Sequence, residues 1–248
     1  MTASGVFDIL RYNRGYYSVS LSFIAAAALW LGTGVLPAPL CAAVAVALAP
    51  AAFWTAASLF VSWFVYDHAA ITRCHWLPGI LRFPPRRWIQ IHAGLDEASA
   101  ILERMFPDAR SAVLDIYDPA EMCEPSIARA RRLHPPLRPP STAILDALPA
   151  PAGACDTVFV LFAAHEIRDR VRRVTFFREL ARVLCRNGQI LVAEHLRDWR
   201  NFLAFGPGFL HFYSRAEWLR VAREAGLVLE AEAGLTPFAR CFRFTGPA

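Results

Sequence analysis

The chain of 248 residues contains no lysine, although it carries a formal net charge of +5. All 26 basic residues are arginines, which codon usage in a GC-rich genome explains. A basic chain can bind nucleic acid, but that function needs arginines and exposed aromatic residues clustered on one face. Here many arginines lie beside long apolar runs instead, where anionic lipid headgroups attract them. We therefore expect no nucleic-acid partner.

The six cysteines show neither a CxxC motif nor any paired spacing. This excludes the common zinc-binding frameworks and a disulfide-stapled secreted fold. We expect reduced and mostly buried thiols, as in a cytoplasmic domain. The cysteines are Cys41, Cys74, Cys123, Cys155, Cys185 and Cys241.

Charged residues are absent from two long runs near the N-terminus, residues 18–36 and 40–66. Each run reaches the ~20 apolar residues that cross a bilayer as a helix. Only Pro37, Ala38 and Pro39 separate them, so residues 1–67 are predicted to form a transmembrane helical hairpin. A signal peptide is the alternative for the first run, but a cleaved leader would not require a second span.

Arginines on either side of the hairpin predict its orientation. They are Arg11 and Arg14 before the first run, and Arg73, Arg82, Arg86 and Arg87 after the second. The connecting turn carries none, so the positive-inside rule places both termini and the following domain on the cytoplasmic side of the inner membrane. Residues 68–87 form a basic amphipathic linker that lies along the lipid headgroups or packs on the domain.

Residues 88–248 alternate short β-rich runs with amphipathic helical stretches, the pattern of an α/β domain with a mainly parallel sheet. We predict a Rossmann-like, doubly wound sheet. Strands are expected at 88–91, 111–116, 157–162, 189–193, 227–231 and 238–244, and helices at 99–106, 120–133, 168–185 and 215–225.

Four strings in this region resemble the class I S-adenosylmethionine-dependent methyltransferases. They are IQIHAGLDE at 89–97, AVLD at 112–115, LP at 148–149 followed by CDTVFV at 155–160, and ELARVLCRNGQIL at 179–191. They are similar to the family's first strand and glycine-rich turn, its second strand with a terminal acid, the approach to its fourth strand, and the helix and L-x-P-G-G turn that lead into its fifth strand.

The resemblance implies that S-adenosylmethionine is the cofactor. Residues His92, Ala93, Gly94, Asp96 and Glu97 would form the cofactor-binding turn. Asp115, 21 positions after Gly94, would accept hydrogen bonds from the ribose hydroxyls. The turn departs from the family pattern D-x-G-x-G-x-G, because Gln90, His92 and Asp96 stand where the pattern has other residues and only Gly94 remains.

Polar residues follow the predicted fourth and fifth strands, at the edge where open parallel sheets bind ligands. The catalytic candidates are His165, Glu166, Glu194, His195 and His211. In a methyltransferase, His165 or His195 would remove a proton from a substrate hydroxyl, and Glu166 or Glu194 would orient the imidazole. Helix capping and internal hydrogen bonding are the alternatives for each residue alone.

The same polar residues permit a metal-dependent enzyme that no longer binds a methyl donor. Its ligands would come from His92, Asp96, His165, Glu166, Glu194, His195 and His211, although no HExxH spacing is present. A catalytically silent membrane scaffold is a third alternative, which so many polar side chains disfavour.

The hairpin places the domain beside the bilayer, so we expect a lipid, a quinone-like molecule or another amphipathic small molecule as substrate. The apolar segment 202–210, with glycines at 206 and 208, is expected to form an acceptor pocket or lid, or else a loop covering the core. The sequence leaves open whether the chain forms a homo-oligomer.

Overall fold

The computed structural model describes residues 5–135 and 141–246, with the side chains of residues 141 and 142 left aside. Its centre is a sheet of seven strands, which are β1 (Arg87–His92), β2 (Arg110–Asp115), β3 (Ser141–Thr142), β4 (Cys155–Leu161), β5 (Leu184–His195), β6 (Val228–Thr236) and β7 (Ala239–Thr245). Their order across the sheet is β3-β2-β1-β4-β5-β7-β6. Strands β1 to β5 pair in parallel, and β7 is antiparallel to both its neighbours. The mainly parallel sheet is thus confirmed.

Helices cover both faces of the sheet, as a doubly wound fold requires. They are α1 (Gly5–Tyr12), α2 (Arg14–Gly32), α3 (Ala38–Ser62), α4 (Ser99–Met105), α5 (Pro125–Leu133), α6 (Arg170–Val183), α7 (Trp199–Phe205) and α8 (Arg215–Glu224). Phe177 and Trp218, from α6 and α8, are buried on one face. Leu102 of α4 packs with Trp88 on the other face.

Helices α2 and α3 form a hairpin that is long and apolar enough to cross a membrane by length and composition. Only 11% and 17% of their most apolar windows are buried inside the structure, so neither behaves as the core helix of a soluble domain. Between them, the hydroxyls of Ser20 and Thr55 lie 2.6 Å apart. Helix α3 continues into a π-helical turn, Trp63–His68, which leads to the domain.

The hairpin and the domain pack together closely. A Cβ atom on Gly206 would lie 2.8 Å from the ring of Trp54 in α3, so only glycine fits there. The carboxylate of Asp67 accepts hydrogen bonds from the first backbone amides of α1, Gly5 N and Val6 N. The following segment contributes Ile71, Cys74, Leu77 and Ile80 to the buried interior.

The predicted start of one helix and the predicted end of another differ from the structure, and local sequence explains both differences. Helix α5 begins at Pro125 rather than at residue 120, because a residue that precedes proline avoids the helical region and proline suits the first helical position. Helix α6 ends at Val183, before Asn187 and Gly188. These two residues lie inside β5, beside an irregularity in its pairing with β4, where Asn187 has φ of +62°.

Candidate functional site

The strand order reverses direction between β1 and β4, and open α/β sheets bind ligands at this switch point. Gln90 of β1 is completely buried here, and neither atom of its side-chain amide has a hydrogen-bond partner among the described residues. It lines a small pocket together with Glu97, Leu161 and Phe162. An unpartnered buried amide is costly, so this position is suited to a polar ligand.

A cleft of about 840 Å³ shares Glu97 and Thr72 with this pocket. Its walls come from α1, the π-helical turn after α3, the loop that follows β1, and α4. Burial, with the nearby charges of Asp8 and Asp96, raises the pKa of Glu97 to about 7. Its carboxylate accepts no hydrogen bond from the described residues, so it is available to a donor or a cation in the cleft.

Side chains of α5 pack against the predicted cofactor turn. Gly94 has φ of +91°, and a Cβ atom there would lie 2.9 Å from Cγ2 of Ile127. Asp115 accepts hydrogen bonds from Gly94 N at 2.9 Å and Tyr117 N at 3.0 Å, and Arg131 Nη1 donates to its second oxygen at 2.5 Å. The acid predicted to bind ribose is therefore paired within the protein.

The other residues of the predicted turn divide between core and cleft. His92 and Ala93 are buried, and burial lowers the pKa of His92, whose Nδ1 lies 3.5 Å from Asp115 Oδ1. Asp96 accepts a hydrogen bond from Ser99 N and so caps the start of α4. Of the six predicted cofactor-binding residues, only Asp96 and Glu97 line the cleft.

Four of the five catalytic candidates lie together beyond β4 and β5, and we call them the His165 cluster: His165, Glu166, Glu194 and His211. The ring of His165 lies between two carboxylates, with Nδ1 2.7 Å from Glu194 Oε2 and Nε2 3.1 Å from Glu166 Oε1. His211 Nε2 lies 3.6 Å from the same oxygen of Glu166. A short 3₁₀ turn, Ala164–Glu166, presents two of these side chains at the end of β4.

The charges of the His165 cluster determine its protonation. Burial opposes a charge on His165, but the carboxylates of Glu194 and Glu166 outweigh it and raise the pKa of the imidazole to about 10. Burial likewise acts against ionised Glu166, yet hydrogen bonds from His165 and His211 hold the pKa of this carboxyl well below its usual range. His165 with these partners keeps its proton near neutral pH, so it is poorly suited to act as a general base.

His195 lies apart from the cluster and has different partners. Its Nδ1 lies 2.9 Å from the carbonyl oxygen of Phe238, which only accepts, so Nδ1 carries the proton and Nε2 is an acceptor. Tyr66 Oη lies 3.2 Å from this Nε2. Burial lowers the pKa of His195 to about 4, so the ring is neutral at pH 7. Tyr66 also lines the cleft, so it joins His195 to the cleft.

Sequence reasoning did not select Tyr66, Gln90 or Arg131 as site residues. Tyr66 ends a long apolar run, and the composition of that run predicts only a membrane-spanning helix. Gln90 stands in the string that resembles the glycine-rich turn of the methyltransferases. That position was the one sequence signal that could have identified it as a site residue. The pairing of Arg131 with Asp115 depends on the path of α5, which no local pattern reveals.

Comparisons with known proteins bear on this geometry. No family model and no curated protein matches the sequence. Solved structures do match. A SAM-dependent methyltransferase from Aquifex aeolicus is 16% identical with a TM-score of 0.54, over 73% of this chain and 94% of that one. The mitomycin 7-O-methyltransferase MmcR is 16% identical, at 0.53, over 76% and 57% of the two chains. PigF with SAH is 13% identical, at 0.52, over 76% and 58%.

The likeness establishes the fold. The chain has the architecture of SAM-dependent methyltransferases, and the sheet and its helices agree with the sequence-based expectation. At identities of 13–16% the comparisons say nothing about which residues act, so the activity has to be argued from the site itself.

Proposed function

We propose that the chain is a membrane-anchored methyltransferase that uses S-adenosylmethionine and acts on an amphipathic small molecule. The observation that carries this proposal is the contact between Tyr66 and His195. It joins the end of the apolar hairpin to a neutral imidazole beside the cleft at the switch point of a methyltransferase-like sheet.

The residues around the cleft fit the methyl donor. Glu97 and the unpartnered amide of Gln90 would hold the amino-acid end, since a carboxylate pairs with an ammonium group and an amide both donates and accepts. Asp115 would take the ribose only after the side chain of Arg131 moves away. That side chain is about one-third exposed (33%), so it has room to turn outward. Bound there, S-adenosylmethionine would supply an electrophilic methyl group.

Proton removal from the acceptor falls to His195. Its Nε2 accepts from Tyr66, whose oxygen would accept in turn from the hydroxyl of an acceptor bound in the cleft. As that oxygen formed its bond to the methyl carbon and the bond from the methyl carbon to sulfur broke, the hydroxyl proton would pass to Tyr66 and the tyrosine proton to Nε2, which would leave His195 protonated. The carbonyl of Phe238 keeps the ring in the orientation that this transfer needs.

Apolar surface beside the site supports a membrane location. The hairpin exposes large side chains along its length, including Leu29, Trp30 and Phe53. Segment 202–210, expected to form a pocket or lid, comprises the end of α7 and most of the 3₁₀ turn that follows it. Phe202 of this segment packs on Trp54 of the hairpin, with ring centroids 5.5 Å apart. Leu203 and Leu210 remain exposed beside it. These exposed apolar side chains suit contact with the bilayer and an acceptor that enters from lipid. The positive-inside rule would place both termini on the cytoplasmic side.

The test is calorimetric titration of the full-length protein in detergent with S-adenosylmethionine. We expect a dissociation constant on the order of micromolar. The Glu97→Gln variant should bind about 10- to 100-fold more weakly, because it loses a charge-assisted contact. The matched control is Glu121→Gln, which changes an exposed glutamate paired with Arg172 away from the cleft.

Absence of binding to folded wild-type protein would refute the methyl-donor proposal. Equal affinities for wild type and Glu97→Gln would instead show that the donor binds elsewhere. Intrinsic tryptophan fluorescence of each variant verifies the fold, since Trp88 and Trp218 are fully buried.

A further inference from the structure

We propose that His165, Glu166 and His211 bind one divalent transition-metal ion. One nitrogen of each imidazole and a carboxylate oxygen lie within 4.8 Å of one another, so a single ion can reach all three. Both Nε2 atoms face the same oxygen, Glu166 Oε1, at 3.1 Å for His165 and 3.6 Å for His211. This site goes beyond the methyltransferase proposal and does not depend on it.

The far side of each imidazole is held by a carboxylate. Nδ1 of His165 lies 2.7 Å from Glu194 Oε2, and Nδ1 of His211 lies 2.7 Å from Glu124 Oε1. Histidines that bind metals usually donate their second ring nitrogen to a carboxylate in this way, which fixes the tautomer and the ring orientation. Here the arrangement occurs twice, and the Nε2 atoms of both rings lie toward Glu166.

Glu194 is the stronger of these two supports. It is fully buried at the end of β5, and its other oxygen accepts a hydrogen bond from the backbone amide of His165 at 3.2 Å. Both oxygens therefore serve to position one histidine. Glu194 would therefore affect the ion only through His165, the residue that it orients.

Charge balance points to a dication as well. Glu124, Glu166 and Glu194 contribute three negative charges, and Arg168 is the one arginine that contacts the cluster among the described residues. Neutrality would need two imidazolium rings with centroids only 5.1 Å apart, which repel each other. One dication that replaces the Nε2 protons, which leave to solvent, supplies the same charge without that repulsion, and each imidazole is then neutral.

Arg168 competes with the ion for His211. Its guanidinium donates to the His211 ring and to the carbonyl oxygen of the same residue, and it also reaches Glu124. The Arg168 side chain is 38% exposed, so it can turn toward solvent when an ion binds. Removing this arginine should therefore strengthen metal binding, whereas removing a ligand weakens it.

The donor set indicates the kind of ion and its chemistry. Two imidazole nitrogens with one carboxylate favour Zn²⁺ or a similar transition ion over Mg²⁺ and Ca²⁺, which prefer oxygen ligands. Three protein ligands leave a position for an oxygen from water or from a small molecule, as in catalytic zinc sites. A phenolate, enolate or carboxylate is the class of ligand that would fill it.

The experiment is a Zn²⁺ titration of the full-length protein in detergent, after dialysis against chelator, with Mg²⁺ as the comparison ion. Co²⁺ absorption spectra report the coordination geometry. We expect one Zn²⁺ per chain, at least a 100-fold loss of affinity in His165→Asn and His211→Asn, and about a 10- to 100-fold loss in Glu194→Gln. Arg168→Gln should bind Zn²⁺ more tightly than wild type. His75→Asn, which changes an exposed histidine in the wall of the cleft and outside the His165 cluster, should bind Zn²⁺ like wild type.

The proposal fails if wild-type protein that shows a cooperative thermal transition binds no Zn²⁺. It also fails if His165→Asn and His211→Asn bind as tightly as His75→Asn, because the ion would then be adventitious. S-adenosylmethionine binding, measured on the same samples, separates the two proposals. Donor binding without metal would reject only the metal site, and metal binding without donor would reject only the methyltransferase.

Discussion

Polar groups at the two ends of the same sheet edge have different kinds of partners. Beyond β1 and β2, the carboxylate of Asp115 accepts hydrogen bonds from the backbone amide of Gly94 and from Arg131 of α5. Beyond β4 and β5, the polar side chains come from three separate segments and meet around His165, and no sequence motif predicts this arrangement. The residues of a motif can therefore be present while their polar groups are paired within the protein, and a cluster of polar side chains can form without a motif.

His165 and His195, which follow β4 and β5, likewise differ in their surroundings. His165 lies between carboxylates and keeps its proton, whereas His195 is enclosed by apolar rings and stays neutral. Two residues of one type, at neighbouring strand ends, thus acquire opposite chemistry from their surroundings. The following predictions test these contrasts.

The largest expected effect is on turnover in His195→Gln. Losing the imidazole that accepts the proton should lower methyl transfer by about 100- to 10,000-fold, while the affinity for S-adenosylmethionine stays within about twofold. The measurement is transfer of tritium from labelled S-adenosylmethionine into the solvent-extractable fraction of membranes. Unchanged transfer in this variant would remove His195 from the proposed mechanism.

The second effect concerns the internal pairing of Asp115. Asp115→Ala leaves two buried backbone amides and the guanidinium of Arg131 without their acceptor, so it should destabilise the domain by about 2–3 kcal/mol. Asp115→Asn, which keeps one acceptor oxygen, should lose less. Thermal unfolding in detergent measures both. A midpoint for Asp115→Ala equal to that of wild type would show that this pairing contributes little.

The third effect is a clash at the turn. Gly94→Ala should cost about 1–3 kcal/mol, because alanine is strained at positive φ and its Cβ would meet Ile127. Adding Ile127→Ala removes the clash but not the strain. The double variant should therefore lose less stability than the sum of the two single variants, as a double-mutant cycle would reveal. Strict additivity would show that α5 does not press on the turn.

The smallest effect is the pH dependence that Glu97 confers. Its pKa of about 7 lies above the ordinary value of 4.5, so the folded protein binds the proton more tightly than the unfolded chain does. The stabilising contribution is present below about pH 4.5 and is lost as pH rises through 7. Between pH 5 and 8 the thermal midpoint of wild type should fall by about 2–4 °C more than that of Glu97→Gln. Parallel profiles would contradict a raised pKa.

The sequence predicted the sheet because its signals are local and repeated. The alternation of apolar runs such as 157–162 with amphipathic helices needs no knowledge of distant contacts. Strand β3 was missed, since two residues carry no periodicity. The partners of Asp115 were out of reach for another reason, because they depend on where α5 crosses the strand ends after Pro125.

The candidate site was only partly predictable. The strand ends gave His165, Glu166, Glu194 and His195 as a group, because parallel strands end at one edge. Nothing in the sequence separates His195 from His165, since the difference arises from the burial of His195 and from the two carboxylates that pack on His165. The two partners of the His195 ring, Phe238 and Tyr66, lie 43 and 129 positions away along the chain. Tyr66 in particular is hidden in a run whose composition indicates only lipid contact.

The hydrogen bond from Tyr66 to His195 has a consequence for biogenesis. The hairpin precedes every strand of the sheet in the chain, so in the proposed membrane-anchored enzyme one wall of the cleft would already lie in the membrane when the domain folds. The site would then be completed only on chains whose hairpin is correctly inserted. A copy released into the cytosol would lack the inserted hairpin that positions Tyr66, which would restrict the proposed activity to the bilayer.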